Sequence, residues 1–280
     1  MKIILRKKDS VTSIILFVFN IYGEYFGQHS ISLSNLISFM QPFDKNETST
    51  RMGLSRMVKA GILMNIKKNG QVFYRLTEYG LENINIWNDG ISRFFGRYRK
   101  RNKGWNNNWY CLVLLDFNRS DKESQVVLDE LNEMGLREVN KNIWISPYVV
   151  SKEVRDLISI NCIKCLEVVD GGLYLNFPLG ELLENTFKVE TVRERYLEFL
   201  NLMEEIGKEA EDIKSNDGHY LPLLFRLGWN FYDIAVSDPV LPKELLESWE
   251  GDKVVEEFRL LRANLFEKVT EYFNKLSKIG

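Results

Sequence analysis

Basic and hydrogen-bonding side chains recur at helical spacing in the run T-S-T-R-M-G-L-S-R-M-V-K. Thr50, Leu54, Met57 and Val58 form an apolar stripe that we expect to face inward. The residues expected on the outer side are Thr48, Arg51, Met52, Ser55 and Lys59. Arg51 can donate a bidentate pair to guanine or clamp a phosphate, and the sequence leaves both open.

Arg56 of the same helix lies nearer the boundary of the packed face. It can join the outward row, or it can pair with acidic groups of its own domain. Both alternatives stand.

A second basic element follows the helix directly. Ile62–Lys67 and Gln71–Leu76 alternate as strands do, and Asn69-Gly70 between them favours a two-residue hairpin turn. The cations of the hairpin are Lys67, Lys68 and Arg75. Together with Ser55 and Lys59 of the helix, they suit contacts with DNA phosphates that fix the position of the protein on the duplex.

Three predicted helices position this pair. Thr12 or Ser13 caps Ile14–Tyr25, Ser32 or Ser34 opens a helix to Met40, and Asn46 caps the third. Three helices and a hairpin in residues 1–88 predict a winged helix-turn-helix, whose third helix fits the DNA major groove. The alternative is a winged domain used for protein contact.

Charge supports a polyanionic partner. The 280 residues carry a net charge of −2, but residues 1–109 hold 17 Lys and Arg against 7 Asp and Glu. A basic first third on an acidic body is expected where one end meets nucleic acid. Chance, helped by the cluster Arg93–Lys103, is the alternative.

Other features of the sequence concern the location of the protein and the state of its cysteines. The apolar runs are too short for a signal peptide or a membrane span, so we expect a cytoplasmic protein. Cys162 and Cys165 lack the second Cys or His pair of a zinc site, so reduced thiols are expected and no metal or cofactor.

Beyond residue 88 the pattern changes three times. Residues 89–108 are predicted to be a basic linker, and residues 109–177 follow the strand-helix-strand-strand-helix-strand order of a ferredoxin-like, split βαβ domain. Residues 178–280 are predicted to form a helical domain. Its helices are Leu182–Lys214, Tyr220–Val236, Pro242–Trp249 and Asp252–Ser277. The expected fold class is therefore α+β and multidomain.

Four motifs carry a resemblance to a known family. R-M-G-L-S-R-M-V-K-A-G-I-L with Y-R-L-T-E-Y-G, N-N-W-Y-C-L-V-L-L-D-F, L-R-E-V-N-K-N-I-W-I-S-P and S-D-P-V-L-P-K-E-L-L-E-S-W-E-G resemble, in that order, segments of PaaX-type repressors of phenylacetate catabolism. Glu247 stands where the family usually has proline, and Ile62-Leu63 replaces a Trp-containing helix end.

The resemblance implies a dimeric repressor of a catabolic operon. It implies that the repressor binds a double-stranded DNA operator and is released by an aryl- or acyl-CoA effector such as phenylacetyl-CoA. It also implies the three-domain architecture given above, with a central domain similar to small CRISPR-associated nucleases.

The basic residues of the predicted linker allow three interpretations. They could bind effector phosphates, follow the DNA backbone, or form a solvated connection. The effector candidates are Arg93, Arg97, Arg99 and Arg101, with Lys100 between them.

An enzyme is the alternative class of function. Asp116 ends the first central strand, where the related nucleases place a carboxylate, so a metal-dependent nuclease is the rival hypothesis. No second acidic cluster accompanies Asp116, and His29 and His219 lack Ser or Cys partners for a triad. We therefore expect no enzymatic activity.

Overall fold

The computed structural model describes residues 10–120, 122–215 and 217–277. Contacts divide the chain into two compact units. The first unit takes the described residues of Met1–Asn88, Phe199–Phe231 and Val254–Gly280. The second unit takes those of Asp89–Glu198 and Tyr232–Lys253. Residues 178–280, predicted to be one helical domain, thus contribute to both units.

The described residues form a mixed α+β structure with two small sheets. The helices are α1 Val11–Phe26, α2 Leu33–Met40, α3 Glu47–Lys59, α4 Glu78–Arg101, α5 Lys122–Glu133, α6 Ser151–Ile160, α7 Leu179–Phe187, α8 Val189–Glu211, α9 Tyr220–Ser237 and α10 Glu250–Ser277. The strands are β1 Ser30–Ser32, β2 Leu63–Lys68, β3 Gln71–Leu76, β4 Trp109–Leu115, β5 Arg137–Asn140, β6 Ile143–Ser146 and β7 Lys164–Gly171. Among these residues, no helix combines the length and hydropathy needed to cross a bilayer.

Side-chain caps begin the first three helices. Ser32 caps α2 and Asn46 caps α3, as predicted, and Asn46 Oδ1 accepts from the Ser49 N–H at 2.9 Å. The predicted start of α1 at Thr12 or Ser13 is wrong, because Ser10 is the cap and accepts from the Ser13 N–H at 3.1 Å. The helix begins one turn early because Ser10 supplies the acceptor that its free N–H groups need.

The small sheet of the first unit has the order β1-β3-β2. Asn69 and Gly70 join β2 to β3 with φ of 51° and 77°, the positive values that a two-residue hairpin of this type requires. The predicted hairpin is therefore confirmed. Strand β1 was not predicted, because three residues are too few to show an alternating pattern.

The core of the first unit includes residues from the far end of the chain. The fully buried rings of Phe39 and Phe273 lie 4.5 Å apart, and Tyr22 lies 5.5 Å from Phe273. Tyr272 Oη donates to the Ser38 carbonyl at 3.2 Å. Helix α10 therefore completes the core that α1 and α2 begin.

The second unit contains an antiparallel sheet of order β5-β6-β4-β7. Residues of its strands, of α5 and α6 and of the segments adjoining them share one hydrophobic core: Tyr110, Leu112, Leu114, Val127, Leu128, Leu131, Leu136, Trp144, Val150, Val154 and Ile158. Leu166 and Val168 of the edge strand β7 are 60% and 53% exposed.

Three predictions for this part of the chain were wrong. Residues 89–101 belong to helix α4 and are not a linker. The predicted helix Leu182–Lys214 is two helices, broken at Lys188 with φ of 54°. The segment Pro242–Trp249 forms turns and no helix.

Candidate nucleic-acid interface

Helix α3 buries one side and exposes the other, as its periodicity predicts. Thr50, Leu54 and Met57 are at most 1% exposed. The candidate side chains on the opposite side all lie exposed: Thr48, Arg51, Met52, Ser55, Arg56 and Lys59. Arg56 belongs with this exposed row, and no carboxylate of the described residues forms an ion pair with it.

A close helix crossing holds α3 in place. A Cβ atom at Gly53 would lie 2.4 Å from Val11 Cγ1 of α1, well inside van der Waals contact. Only glycine allows this approach. The crossing fixes the depth at which α3 sits against α1 and therefore how far its outer side projects.

A second set of contacts fixes the hairpin relative to α3. Gly61 ends the helix with φ of 71°, and the Ile62 N–H donates to the Met57 carbonyl at 2.9 Å. Thr77 Oγ1, at the end of the hairpin, donates to the Gly61 carbonyl at 2.6 Å. Because Thr77 joins both ends of the hairpin, β2 and β3 are anchored to the end of α3.

Thr77 was missed as a positioning residue in the sequence. Its Oγ1 also accepts from the Gly80 N–H at 3.1 Å, which is the pattern of a helix N-cap for α4. The signal that could have identified it is the Thr three residues before Gly80 in T-E-Y-G.

The exposed side of α3 and the hairpin are both cationic. Residues 46–77 contain a single acidic residue, Glu47, against six basic ones, all exposed. The six are Arg51, Arg56, Lys59, Lys67, Lys68 and Arg75. We call these six residues with Thr48, Met52 and Ser55 the basic face.

Two of the six cations have side-chain partners among the described residues. Arg51 Nε donates to Glu47 Oε1 at 2.7 Å, one helical turn away. Arg75 Nη2 lies 3.3 Å from Met64 Sδ, directly across the hairpin. An exposed i,i+4 ion pair contributes only about 0.3–0.5 kcal/mol, and a thioether is a weak acceptor, so both arginines can still engage a ligand.

The predicted effector residues lie in the second unit, on α4, and two of them are buried. Arg93 Nη2 pairs with Glu133 Oε2 at 2.5 Å, and Arg99 is exposed. Arg97 and Arg101 are only 5% and 1% exposed. The interpretation of this segment as a solvated connection is therefore wrong for these two residues.

Arg97 and Arg101 direct their guanidinium groups at backbone carbonyls. Arg97 donates to the carbonyls of Glu133 and Asp238 at 2.8 and 3.0 Å. Burial lowers the pKa of Arg97 to about 10, which leaves it charged at neutral pH.

Arg101 makes the larger set of contacts. It donates to the carbonyls of Leu241 and Leu246 at 2.6 and 2.8 Å and pairs with both carboxylate oxygens of Asp252 at 2.9 Å. These donors are occupied within the fold, so Arg101 has a folding role.

The segment S-D-P-V-L-P is the focus of this polar network. The buried Asp238 accepts from Tyr196 Oη and, at 2.7 Å, from the Val240 N–H. Tyr148 Oη donates to the Val240 carbonyl at 2.7 Å. Burial raises the pKa of the Asp238 carboxyl. The sequence did not indicate Tyr148 and Tyr196, since their partners lie far away in the chain.

The candidate nuclease residue has no metal site around it. Asp116 is exposed, with φ of 51°. Within the described ranges, no group of three or more His, Cys, Asp or Glu gathers as a metal ion would require. The three cysteines are free thiols. The nuclease alternative therefore gains no support.

Comparison with known proteins places the chain in a family. Residues 12–80 match the PaaX-like protein family, and residues 187–275 match the PaaX-like protein C-terminal domain. Together the two matches cover more than half of the chain. The chain therefore belongs to the PaaX-like family, which confirms the resemblance in the sequence. Membership indicates a transcriptional regulator rather than an enzyme.

A solved structure shares the fold. The uncharacterized protein Rv0674 from Mycobacterium tuberculosis aligns over 94% of this chain and 99% of its own, with a TM-score of 0.61 and 18% sequence identity. At that identity the similarity concerns the fold alone. No match to this chain was found among the curated proteins.

Proposed function

We propose that the protein is a DNA-binding transcriptional repressor whose basic face binds a double-stranded operator. The observation that carries the proposal is the exposed basic face: six cations against one carboxylate over residues 46–77, three of them on a helix whose apolar side is packed and three on the hairpin that follows it. A helix of this kind fits the major groove, and the hairpin can reach a neighbouring phosphate strand.

The proposal assigns a named fold to each part. Helices α1 to α3 with the β2–β3 hairpin act as a winged helix-turn-helix, supported by their order and by the sheet order β1-β3-β2. The sheet order β5-β6-β4-β7, with α5 and α6 as its two helical connections, supports a ferredoxin-like central domain.

The regulatory part of the proposal concerns a homodimer and a small effector. Two protomers bind a palindromic operator of a catabolic operon, and an aryl- or acyl-CoA thioester releases them. Release requires that the thioester bind one dimer arrangement better than the other. Of the effector candidates, Arg99 is exposed and Arg93 is half-buried and paired with Glu133, so Arg99 is the one whose side chain is open to an effector.

Selection of duplexes from a random pool, followed by a salt titration of the selected duplex, tests DNA binding. We expect the double substitution Lys67→Ala/Lys68→Ala to weaken binding and to reduce the slope of log affinity against log salt by about 0.9 per lost phosphate contact. Both lysines are exposed in the hairpin, so folding should be unaffected.

The matched control is Lys152→Ala/Lys164→Ala, which removes two exposed lysines of the second unit. This pair should leave the slope unchanged. Equal effects of the two double substitutions, or binding without salt dependence, would contradict the proposal. Adding phenylacetyl-CoA and aliphatic CoA thioesters to the complex tests release; unchanged affinity across the set removes the CoA part.

A further inference from the structure

We propose that Glu47 positions Arg51 to read a G·C base pair, so that Arg51 is the base-reading arginine of α3 and the other cations bind phosphate. This inference rests on the proposed DNA binding and deepens it. The juxtaposition that carries it is the pair of Arg51 with Glu47, the only acidic residue of residues 46–77.

The contact uses one edge of the guanidinium group. Arg51 Nε donates to Glu47 Oε1 at 2.7 Å, and Glu47 stands at the first position of α3. Within the described part of the chain, neither Nη group of Arg51 has a hydrogen-bond partner. The Nη1–Nη2 end of the group is therefore open, and this end is the fork that matches O6 and N7 of guanine.

The pair also orders a side chain that would otherwise be free. Arg51 and Glu47 are 52% and 58% exposed, so their contact lies at the surface that would meet DNA. An arginine held through Nε has already lost part of its rotamer freedom, and it loses less on binding a base. Such ordering favours a bidentate pair of hydrogen bonds to a base, which requires a fixed orientation of the guanidinium group.

The carboxylate disfavours the phosphate alternative. A phosphate bound by Arg51 would bring a second anion close to Glu47, and like charges at that range repel. The major-groove edge of guanine is neutral, and it offers the arginine two hydrogen-bond acceptors, O6 and N7. The free Glu47 oxygen can in addition accept from the N4 amino group of a cytosine.

The other cations of the basic face differ in this respect. Among the described residues, no carboxylate pairs with Arg56, Lys59, Lys67, Lys68 or Arg75. These five are therefore free to bind phosphate without a neighbouring acid. Arg51 is the exception in a face whose remaining chemistry suits the sequence-independent DNA backbone.

The test uses the full chain and a randomised duplex pool. Wild-type protein should select duplexes that contain a G at a defined position in each half-site. Arg51→Lys, which keeps the charge but removes the fork, should abolish the preference for G there. Glu47→Gln should reduce that preference about twofold, as expected for the loss of an exposed i,i+4 pair, while affinity for unselected duplex stays the same or rises because an anion is lost.

A matched control separates positioning from charge. Glu204→Gln removes the acid of another exposed i,i+4 pair, with Lys208 on α8, and should leave base preference unchanged. Melting temperatures of all variants should agree. If Glu47→Gln lowered affinity for every sequence equally, Glu47 would have only a structural role, and the inference would fail.

Two further outcomes are distinguishable. If Arg51→Lys keeps the G preference, while Arg51→Ala weakens binding to all sequences and reduces the salt slope by about one, then Arg51 is a phosphate clamp. The inference then fails and the proposed function stands. If wild-type protein shows no salt-dependent binding to any duplex, the proposed function fails and the inference fails with it.

Discussion

Single residues decide how the basic face is presented, and Gly53 is the clearest case. It is buried on α3, where any side chain would meet Val11 of α1. The close crossing sets how near α3 lies to α1, and therefore how far the exposed side chains of α3 project from the protein. Gly53 is buried and would not contact DNA itself, but it controls how far the residues proposed to bind DNA project.

We expect Gly53→Ala to lower the free energy of unfolding by about 1–3 kcal/mol, because the new methyl group overpacks the crossing. Gly207→Ala is the matched control: Gly207 lies inside α8, and a Cβ atom added there would have no neighbouring atom within 4 Å. That change should stabilise the protein by about 0.5–1 kcal/mol. Chemical denaturation measures both, and a stabilising Gly53→Ala would contradict the close crossing.

Local signals explain most of what the sequence predicted correctly. Asn46 caps α3 through an atom three residues away, and Asn69-Gly70 turns the hairpin with no help from distant residues. The exposed row of the basic face follows from helical spacing alone. The Glu47–Arg51 pair also lies within one turn of the helix. Whether Arg51 can still bind a base depends on which nitrogen of the guanidinium group contacts Glu47, and only the structure shows that.

At the scale of elements, α4 shows where local signals fail. Gly90, Gly96 and a run of basic residues gave residues 89–101 the composition of a connection. The segment is helical because Phe94, Arg97 and Arg101 are buried, the arginines against carbonyls more than 130 residues away in the sequence. Periodicity cannot reveal acceptors that the fold supplies from so far along the chain.

The same contacts explain why Pro242–Trp249 is not a helix. In a helix the Leu241 and Leu246 carbonyls would accept from amide groups four residues later. Here both accept from Arg101. The motif D-P-V-L-P-K-E-L-L therefore serves as a set of acceptors for the arginines of α4.

Two arginines of α4 offer a direct test of this role. We expect Arg101→Leu to lower the free energy of unfolding by about 3 kcal/mol or more, because two carbonyls and Asp252 lose their partner. Arg99→Leu, on the exposed side of the same helix, should change it by less than about 0.5 kcal/mol. Thermal melting of both variants measures the difference, and equal melting temperatures would show that α4 behaves as a solvated connection.

At the scale of the whole molecule, chain order and structural units do not coincide. The first unit takes in Phe199–Phe231 and residues from Val254 onward, so α1, α2 and α3 share a core with helices from the last third of the chain. Glu24 of α1 pairs with Arg262 of α10 at 2.7 Å, and the rings of Phe39 of α2 and Phe273 of α10 lie 4.5 Å apart. The match of both termini to PaaX-like families is consistent with their joint contribution to one unit.

This sharing predicts that residues 1–88 do not fold alone. Without α9 and α10, the buried Phe39 and Tyr22 lose Phe273, and Phe17 loses Phe225, whose ring lies 5.1 Å away. A fragment of residues 1–88 should lack a cooperative melting transition and should lose the salt-dependent duplex binding proposed for the full chain. In the full chain, Phe273→Ala should cost about 3–5 kcal/mol, since it empties a fully enclosed position. Tyr174→Ala removes a ring that is 93% exposed and should leave the melting temperature unchanged. A fragment that melts cooperatively and binds duplex as the full chain does would show that residues 1–88 form an independent domain, contrary to the shared core.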